Sequence, residues 1–474
     1  MTASDGLVAA FLEHAEARPA TPALIDGGGR VTSYGALAKM SGARARGFRD
    51  AGIDAGDVVL VARGVSADLY ADLLALFRLG AVAMFPEPAA GLAGLDGAVK
   101  AARPKAMIAG TLGRGLRLVS PALRGLPLLP QPTAGERGDG PCERCVAEAP
   151  ALITFTSGST GRPKGIVRSV GFLELQHTLL ERIRRTTPDD VDLISLPVFI
   201  LSNLACGATS VLPAGDLRRP ARLDGRRLAA QMATHGVNRV VAPPAVCARL
   251  TAQRLNGLDA VFTGGGPVFP NLLHALHAAA PAAALHAVYG STEAEPIAHI
   301  DLNAIGEPDW RAMSDGEGLL AGAPIPEARI AIHDREIEVA GPHVNRGYLD
   351  PRDDISTKRT RGDALWHRTG DAGRLDAQGR LWLLGRREAS DGALHPFAVE
   401  TAALSWPGVR QAALLADTDN AQLFVVGEHL DLADLSKRAA RLGDIRCRIV
   451  GAIPMDRRHN SKVDYTALKR RAAR

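Results

Sequence analysis

Short apolar segments alternate with amphipathic ones through most of the chain. The segments DVVLVA (57–62) and AVAMFP (81–86) have the length and apolarity of buried strands. Between them, SADLYADLLALFRLG (66–80) has the period of an amphipathic helix. The same alternation returns in VDLISLP (191–197) and VNRVVAP (237–243). It predicts an α/β fold, with mixed and largely parallel sheets flanked by helices.

The pattern changes near residue 386. RLDAQGRLWLLGRRE (374–388) is typical of a hairpin that turns at Asp376–Gly379. A shorter run of strand and helix patterns follows it, and a chain of 474 residues is too long for one core. We therefore expect a large domain over residues 1–385 and a small, mobile α+β domain over residues 386–474.

Composition and charge narrow the class of protein. Hydrophobic residues make up 46% of the chain and charged residues 23%, as in soluble globular proteins. The net charge of +5 is spread without a long run of one sign, which argues against a nucleic-acid-binding arm. The most apolar stretch (69–85) is interrupted by Asp72 and Arg78, so we expect no membrane span. The N-terminus lacks a signal-peptide pattern, and a cytoplasmic enzyme is expected.

A glycine- and hydroxyl-rich loop directly follows the apolar run Ala151–Phe155. Its sequence is TFTSGSTGRPKG (154–165), and it ends on Lys164. Glycines allow backbone N–H groups to approach an anion, hydroxyls donate to its oxygens, and a lysine adds a compact positive charge. A P-loop of the Walker type does not fit, because Pro163 replaces its second glycine and Gly165 follows the lysine. A flexible linker would not require Pro163 and Lys164.

This loop resembles the phosphate-binding signature of the adenylate-forming superfamily, which includes acyl-CoA synthetases and the adenylation domains of nonribosomal peptide synthetases. Further segments resemble its other motifs, in the order expected along the chain: TGGGPV (263–268), VYGSTEAEP (288–296), HRTGDAGRLDAQGRLWLLGR (367–386) and RRHNSKVDYTALKR (457–470). The resemblance implies that a substrate carboxylate attacks the α-phosphate of ATP, giving an acyl-adenylate and pyrophosphate.

The resemblance also implies which residues bind ATP. The β- and γ-phosphates would be bound by Thr156, Ser157, Gly158, Ser159, Thr160, Gly161 and Lys164. The adenine side would be lined by Gly264, Gly265, Gly266, Tyr289, Gly290 and Ser291. Tyr289 would stack on the adenine, with plain core packing as the alternative.

The remaining matched residues would act at the ribose and at the reacting phosphate. Asp371 would accept hydrogen bonds from both ribose hydroxyls, and Arg386 would approach the ribose or the phosphate. Thr292 would contact the α-phosphate, and Glu293 would ligate Mg²⁺. Lys462 would bind the α-phosphoryl oxygen and the substrate carboxylate together.

Within the superfamily, three segments are similar to the β-lactone synthetases of bacterial olefin biosynthesis: ALFRLGAVAMFPEPAAG (75–91), LPVFILSNLACGATSVLPAGDLRRPARLD (196–224) and DRRHNSKVD (456–464). Those enzymes activate a β-hydroxy acid and close it to a β-lactone. The segments 199–203, 242–245 and 264–267 are expected to line the acyl pocket, with Phe199, Asn203 and Pro243 as substrate contacts. They carry no charged residue that would bind an amino-acid ammonium group, so an aliphatic or hydroxylated acid is favoured.

The chain also departs from the family pattern after Arg386. Glu388 occupies the hinge position, where the family has Asp or Lys, and the following loop is shorter than in thioester-forming members and in the olefin-pathway enzymes. Three outcomes stay open: lactone closure, thioester formation with coenzyme A or an acyl-carrier protein, and a non-catalytic nucleotide-binding homologue. A pathway enzyme is a further candidate partner.

Overall fold

The computed structural model describes residues 6–87, 90–132, 140–143, 145–157, 163–217, 219–417, 420–456 and 461–472. Its helices are α1 (Leu7–Ala17), α2 (Tyr34–Asp50), α3 (Ala67–Arg78), α4 (Gly91–Ala102), α5 (Thr111–Val119), α6 (Pro121–Arg124), α7 (Val170–Arg184), α8 (Pro197–Cys206), α9 (Gly225–Thr234), α10 (Pro244–Leu250), α11 (Pro270–Ala279), α12 (Glu307–Ser314), α13 (Asp354–Thr357), α14 (Pro396–Ala403), α15 (Leu432–Ala439) and α16 (Tyr465–Ala472).

The strands are β1 (Pro22–Ile25), β2 (Val31–Ser33), β3 (Val58–Ala62), β4 (Val82–Phe85), β5 (Ala106–Ala109), β6 (Pro150–Ser157), β7 (Pro163–Ser169), β8 (Val191–Ile194), β9 (Thr209–Val211), β10 (Arg239–Ala242), β11 (Ala260–Gly264), β12 (Ala284–Ser291), β13 (Ala294–Asp301), β14 (Leu319–Pro324), β15 (Arg329–His333), β16 (Glu336–Ala340), β17 (Lys358–Arg361), β18 (Ala364–Leu375), β19 (Leu381–Arg386), β20 (Val409–Leu415), β21 (Ala421–Gly427) and β22 (Ile445–Ile449). The predicted α/β class with mixed sheets is confirmed.

The chain divides into two units. The first comprises residues 1–214 and 345–358, and the second comprises residues 215–344 and 359–474. The predicted boundary near residue 385 is not where these units divide, and it stays a prediction.

The first unit contains a five-stranded sheet in the order β5-β3-β4-β6-β7. Its first four strands are parallel, and β7 pairs antiparallel with β6 at the edge. Strands β8, β9 and β1 are also parallel neighbours, and β2 pairs antiparallel with β1.

Helix α3 shows how this unit forms its core. The Ser66 hydroxyl caps the helix by accepting a hydrogen bond from the amide of Leu69. Most of the helix is buried, and its fully buried Asp72 forms ion pairs with Arg44 at 2.8 Å and Arg63 at 2.9 Å. The apolar stretch that includes it is therefore a buried core helix continuing into β4. Among the described residues, no helix has the length and apolarity needed to cross a membrane.

In the described part of the second unit, the strands of the main sheet follow the order β10-β11-β12-β13-β14-β19-β18-β16-β15. Strands β10, β11 and β12 are parallel, and the pairs from β12–β13 onward are antiparallel. The hairpin predicted at Asp376–Gly379 joins β18 to β19, with Gly379 at a φ of +74°. A smaller sheet, β20-β21-β22, packs its apolar residues against α14 and α15.

Candidate active site

The phosphate-loop motif lies at the ends of two antiparallel strands of the first unit. Strand β6 ends at Ser157 and β7 begins at Pro163, with Thr156 paired to Lys164 across the ladder. The predicted residues Gly158, Ser159, Thr160 and Gly161 lie outside the described residues, as do the side chains of Thr156 and Ser157. Lys164 is half-buried, and its Nζ lies 5.7 Å from the ring centroid of Tyr348. This is a cation–π distance, so the ring limits where the ammonium group can lie.

Tyr348 was not among the predicted residues, because it is far from Lys164 in the sequence. Its segment runs beside β7: the Leu349 amide donates to the carbonyl of Gly165 at 2.7 Å, and Tyr348 pairs with Ile166. A Cβ on Gly165 would lie 3.0 Å from the Cβ of Leu349. The last glycine of the motif is thus explained by close packing of this segment.

The second group of motif residues forms a hairpin in the second unit. Ser291 of β12 pairs with Ala294 of β13, so Thr292 and Glu293 are the two residues of a tight turn. Both are half-buried. The Oγ of Ser291 is buried and has no hydrogen-bond partner in the described part of the chain. An unpaired buried hydroxyl beside a turn suits a bound polar ligand, because leaving it unsatisfied costs about 1–3 kcal/mol.

Asp371 is the centre of a polar cluster formed by three strands of the second unit. Its Oδ2 accepts a hydrogen bond from the Tyr289 hydroxyl at 2.8 Å, and its Oδ1 accepts one from Arg386 at 2.9 Å. The amide of Asp371 donates to Thr369 Oγ1 at 3.1 Å. Burial raises the pKa of Tyr289 well above its usual value, and the Asp371 charge adds to this effect. The tyrosine therefore stays a hydrogen-bond donor across the physiological range.

Glu336 was also missed by sequence reasoning. Its buried carboxylate accepts hydrogen bonds from Arg368 at 2.6 Å, from Arg387 at 2.9 Å and from the amide of Gly370 at 3.2 Å. These partners flank Asp371 on β18 and Arg386 on β19. Glu336 thus fixes the backbone that presents the predicted ribose-binding pair.

Each glycine of the segment at the end of β11 has a physical reason. A Cβ built on Gly264 would lie 2.6 Å from the carbonyl oxygen of Val288. Gly265 has a φ of +76°, in the left-handed region that favours glycine. Gly266 lies against Ser461, whose Cβ would be 2.6 Å from a Cβ built on that glycine. Gly264, the last residue of β11, is buried.

The predicted acyl-pocket residues are found in both units. Phe199 and Asn203 belong to α8 of the first unit, and Pro243 precedes α10 of the second. Asn203 is fully buried, and its amide nitrogen donates to Asp192 at 3.0 Å and to Ser210 at 3.1 Å. The guanidinium of Arg184, which pairs with Asp192 at 2.6 Å, lies 5.5 Å from the ring centroid of Phe199. These polar partners give Asn203 a structural role; its contact with substrate stays a prediction.

The C-terminal motif presents Lys462 as an exposed residue of the second unit. Its amide donates to Asp456 Oδ1 at 2.8 Å, and its carbonyl accepts from the Asp456 amide at 2.7 Å. The predicted hinge residue Glu388 lies in the short 3₁₀ turn Arg387–Ala389 and is exposed.

Comparison with known proteins identifies the family. Residues 11–349 match the sequence profile of the AMP-binding enzymes. The chain belongs to the AMP-binding enzyme family. It is 30% identical to an olefin beta-lactone synthetase of Xanthomonas campestris pv. campestris, over 91% of this chain and 89% of that protein. It is 28% identical to a 2-succinylbenzoate–CoA ligase of Geobacillus kaustophilus, over 82% of this chain and 80% of that protein.

Solved structures agree on the fold. The anthranilate CoA ligase AuaEII, in complex with anthranoyl-AMP, superposes with a TM-score of 0.84 at 16% identity and covers 100% of this chain and 99% of its own. The family match and the curated relatives show that this AMP-binding enzyme is an adenylate-forming ligase of an ATP-using family. The predicted membership of the superfamily is confirmed, as is the resemblance to β-lactone synthetases.

Proposed function

We propose that this enzyme activates a β-hydroxy carboxylic acid with ATP and closes the resulting acyl-adenylate to a β-lactone. The observation that carries the proposal is the 30% identity to olefin beta-lactone synthetases over nearly the whole length of both chains. The CoA ligases in the same family match at lower identity. The small, apolar residues predicted to line the acyl pocket support an aliphatic substrate.

In the adenylation step, the substrate carboxylate attacks the α-phosphorus and pyrophosphate leaves. We assign Lys164 and the loop 156–161 to the β- and γ-phosphates, Asp371 and Arg386 to the ribose, and Lys462 to the charge that develops on the α-phosphoryl oxygen. Glu293 would ligate Mg²⁺, since a half-buried carboxylate supplies the hard oxygen that this ion prefers. Bound magnesium would neutralise charge on the phosphate oxygens.

In the closing step, the β-hydroxyl oxygen of the acyl group attacks its own carbonyl carbon. The bond between that carbon and the AMP oxygen breaks, AMP leaves, and the hydroxyl proton is released. The nucleophile is part of the same molecule, so its effective concentration is high once the chain is folded in the pocket. No second substrate site is then needed.

Product analysis separates lactone closure from thioester formation. The purified enzyme is incubated with ATP, Mg²⁺ and β-hydroxy acids of several chain lengths, with and without coenzyme A. We expect AMP and a product lighter than the acid by one water, whether or not coenzyme A is present. The matched control is the β-methoxy acid, which should still support ATP–pyrophosphate exchange but give no lactone. A thioester that forms only with coenzyme A or a carrier protein would replace the lactone proposal with the ligase alternative.

A further inference from the structure

The segment that carries Lys462 is held by one carboxylate. Asp456 Oδ1 accepts hydrogen bonds from the amides of Ser461 at 2.9 Å and Lys462 at 2.8 Å. The Asp456 amide donates to the Lys462 carbonyl at 2.7 Å, and Met455 pairs antiparallel with Val463. Asp456 thus fixes both peptide groups of Lys462. Hydrogen bonds to a carboxylate are the stronger kind, so this attachment is more restrictive than an ordinary turn.

Ser461 attaches the same segment to the predicted acyl and adenine segments of the second unit. Its side chain is buried, and its Oγ accepts a hydrogen bond at 3.3 Å from the amide of Ala245, at the start of α10. Its Cβ occupies the space that a side chain at position 266 would need. The residue before Lys462 is therefore located by a hydrogen bond on one side and by close packing on the other.

We propose that Asp456 and Ser461 are positioning residues for Lys462. The proposal rests on the proposed function, in which Lys462 stabilises the adenylation transition state. Asp456 would set the direction in which the Lys462 side chain leaves the backbone, and Ser461 would set its distance from α10 and Gly266. A misplacement of about 1 Å can cost about 10²-fold in rate, so such attachments should act mainly on kcat.

Two substitutions at position 456 test the positioning role of Asp456. Asp456→Ala removes the acceptor, and we expect kcat for ATP–pyrophosphate exchange to fall about 10- to 100-fold, with KM for ATP and acid changed less than about threefold. Asp456→Asn keeps an oxygen that can accept both amides and should recover most of kcat. The matched control is Asp431→Ala, which removes a carboxylate that accepts the Ala433 amide at 2.9 Å but does not contact Lys462. Equal rates for Asp456→Ala and Asp431→Ala would overturn the proposal.

A double mutant shows whether Asp456 acts through Lys462. In a Lys462→Ala background, Asp456→Ala should lower the rate no further. Full additivity of the two losses would overturn the positioning role. If Lys462→Ala alone leaves adenylation unchanged, the proposed function of Lys462 fails instead. Amide hydrogen exchange gives a readout without activity: Asp456→Ala should speed exchange at Ser461 and Lys462, and unchanged exchange would contradict the attachment itself.

Enlarging the side chain at position 266 and then removing the one at position 461 tests the packing role of Ser461. Gly266 is not in the left-handed region, and the three atoms nearest to a Cβ built on it all belong to Ser461. We expect Gly266→Ala to lower kcat at least 10-fold. Ser461→Gly in the same chain should restore part of it by removing the opposing Cβ, while the lost hydrogen bond to the Ala245 amide limits the recovery. If the second substitution restores nothing, Gly266 is required by the nucleotide and the packing role of Ser461 is wrong.

Discussion

Asp371 has two oxygens with about four directions in which they can accept hydrogen bonds. Tyr289 uses one direction and Arg386 another, so acceptor positions are left for the two ribose hydroxyls. Arg386 itself has its pKa raised by the neighbouring Asp371 charge and stays a cation. At the scale of single residues, Tyr289 therefore has a second task besides the predicted stacking: it orients the carboxylate.

Tyr289→Phe separates the two tasks, because it keeps the ring and removes only the hydroxyl. A hydrogen bond to a charged group is worth about 1.5–3 kcal/mol, so we expect the Kd for ATP to rise about 10-fold or more. Tyr289→Ala, which also removes the ring, should weaken binding further. Isothermal titration with ATP measures both. A Phe variant with wild-type affinity would show that the hydroxyl does not orient Asp371 for binding.

Glu293→Gln tests the metal ligand in the turn between β12 and β13. The amide keeps the size of the side chain but loses the charge that Mg²⁺ prefers, so the half-saturating Mg²⁺ concentration for adenylation should rise about 10-fold. The matched control is Glu295→Gln, two residues along the same hairpin, which should leave that concentration within about twofold. Equal Mg²⁺ dependence in both variants would remove Glu293 from the metal site.

At the scale of elements, Glu336 joins three strands. It lies on β16, its partners Arg368 and Gly370 lie on β18, and Arg387 follows β19. Removing a buried carboxylate leaves the charges of its cationic partners uncompensated. The resulting loss of free energy of unfolding is larger than the stabilisation that the intact pair provides. The arrangement ties the stability of these strands to the geometry around Asp371.

Glu336→Ala should lower the free energy of unfolding by about 2–4 kcal/mol and raise KM for ATP. The matched control is Glu428→Ala, which breaks the exposed pair with Arg410 at 2.7 Å and should cost less than about 1 kcal/mol. Urea denaturation of both variants measures the difference. Equal losses of unfolding free energy in the two variants would mean that the buried Glu336 stabilises the fold no more than an exposed ion pair does.

The sequence predicted the elements better than the contacts between them. Local patterns sufficed for the apolar strand before the phosphate loop, for the hairpin at Asp376–Gly379 and for the α/β class. They did not predict β7: the sequence places Lys164 in the loop 154–165, whereas the structure places it in that strand. Tyr348, Glu336 and Asp456 were missed because their partners are brought together by strand pairing or by a loop, and no local spacing indicates this. The pattern around Asn203 predicted an apolar pocket wall, whereas burial of Arg184 and Asp192 beside it depends on packing that only the folded chain shows.

At the scale of the whole molecule, the described part of each unit contains a buried carboxylate whose pKa is well above its ordinary value. Burial raises the pKa of Asp72 in the first unit to about 6, against the opposing effect of Arg44 and Arg63. Burial raises the pKa of Glu400 in the second unit to about 7, although Leu414 and Tyr465 donate hydrogen bonds to it. Burial acts in the other direction on His343, lowering its pKa to about 4. Asp72 and Glu400 therefore raise the free energy of unfolding at mildly acidic pH. His343 acts against them, because its depressed pKa lowers the free energy of unfolding below about pH 6.5.

Glu400 gives the clearest test, since its acceptor bonds survive in the amide. Its folded pKa of about 7 is above its ordinary 4.5, so its contribution is fully present below pH 4.5 and is lost as pH rises through 7. The loss corresponds to about 3 kcal/mol. Glu400→Gln should remove this dependence: relative to wild type, the variant should gain stability between pH 5 and pH 8. Urea denaturation at several pH values in that range measures the difference, with Glu428→Gln as the exposed control. Parallel pH profiles for wild type and Glu400→Gln would show that Glu400 ionises in the folded enzyme as readily as in the unfolded chain.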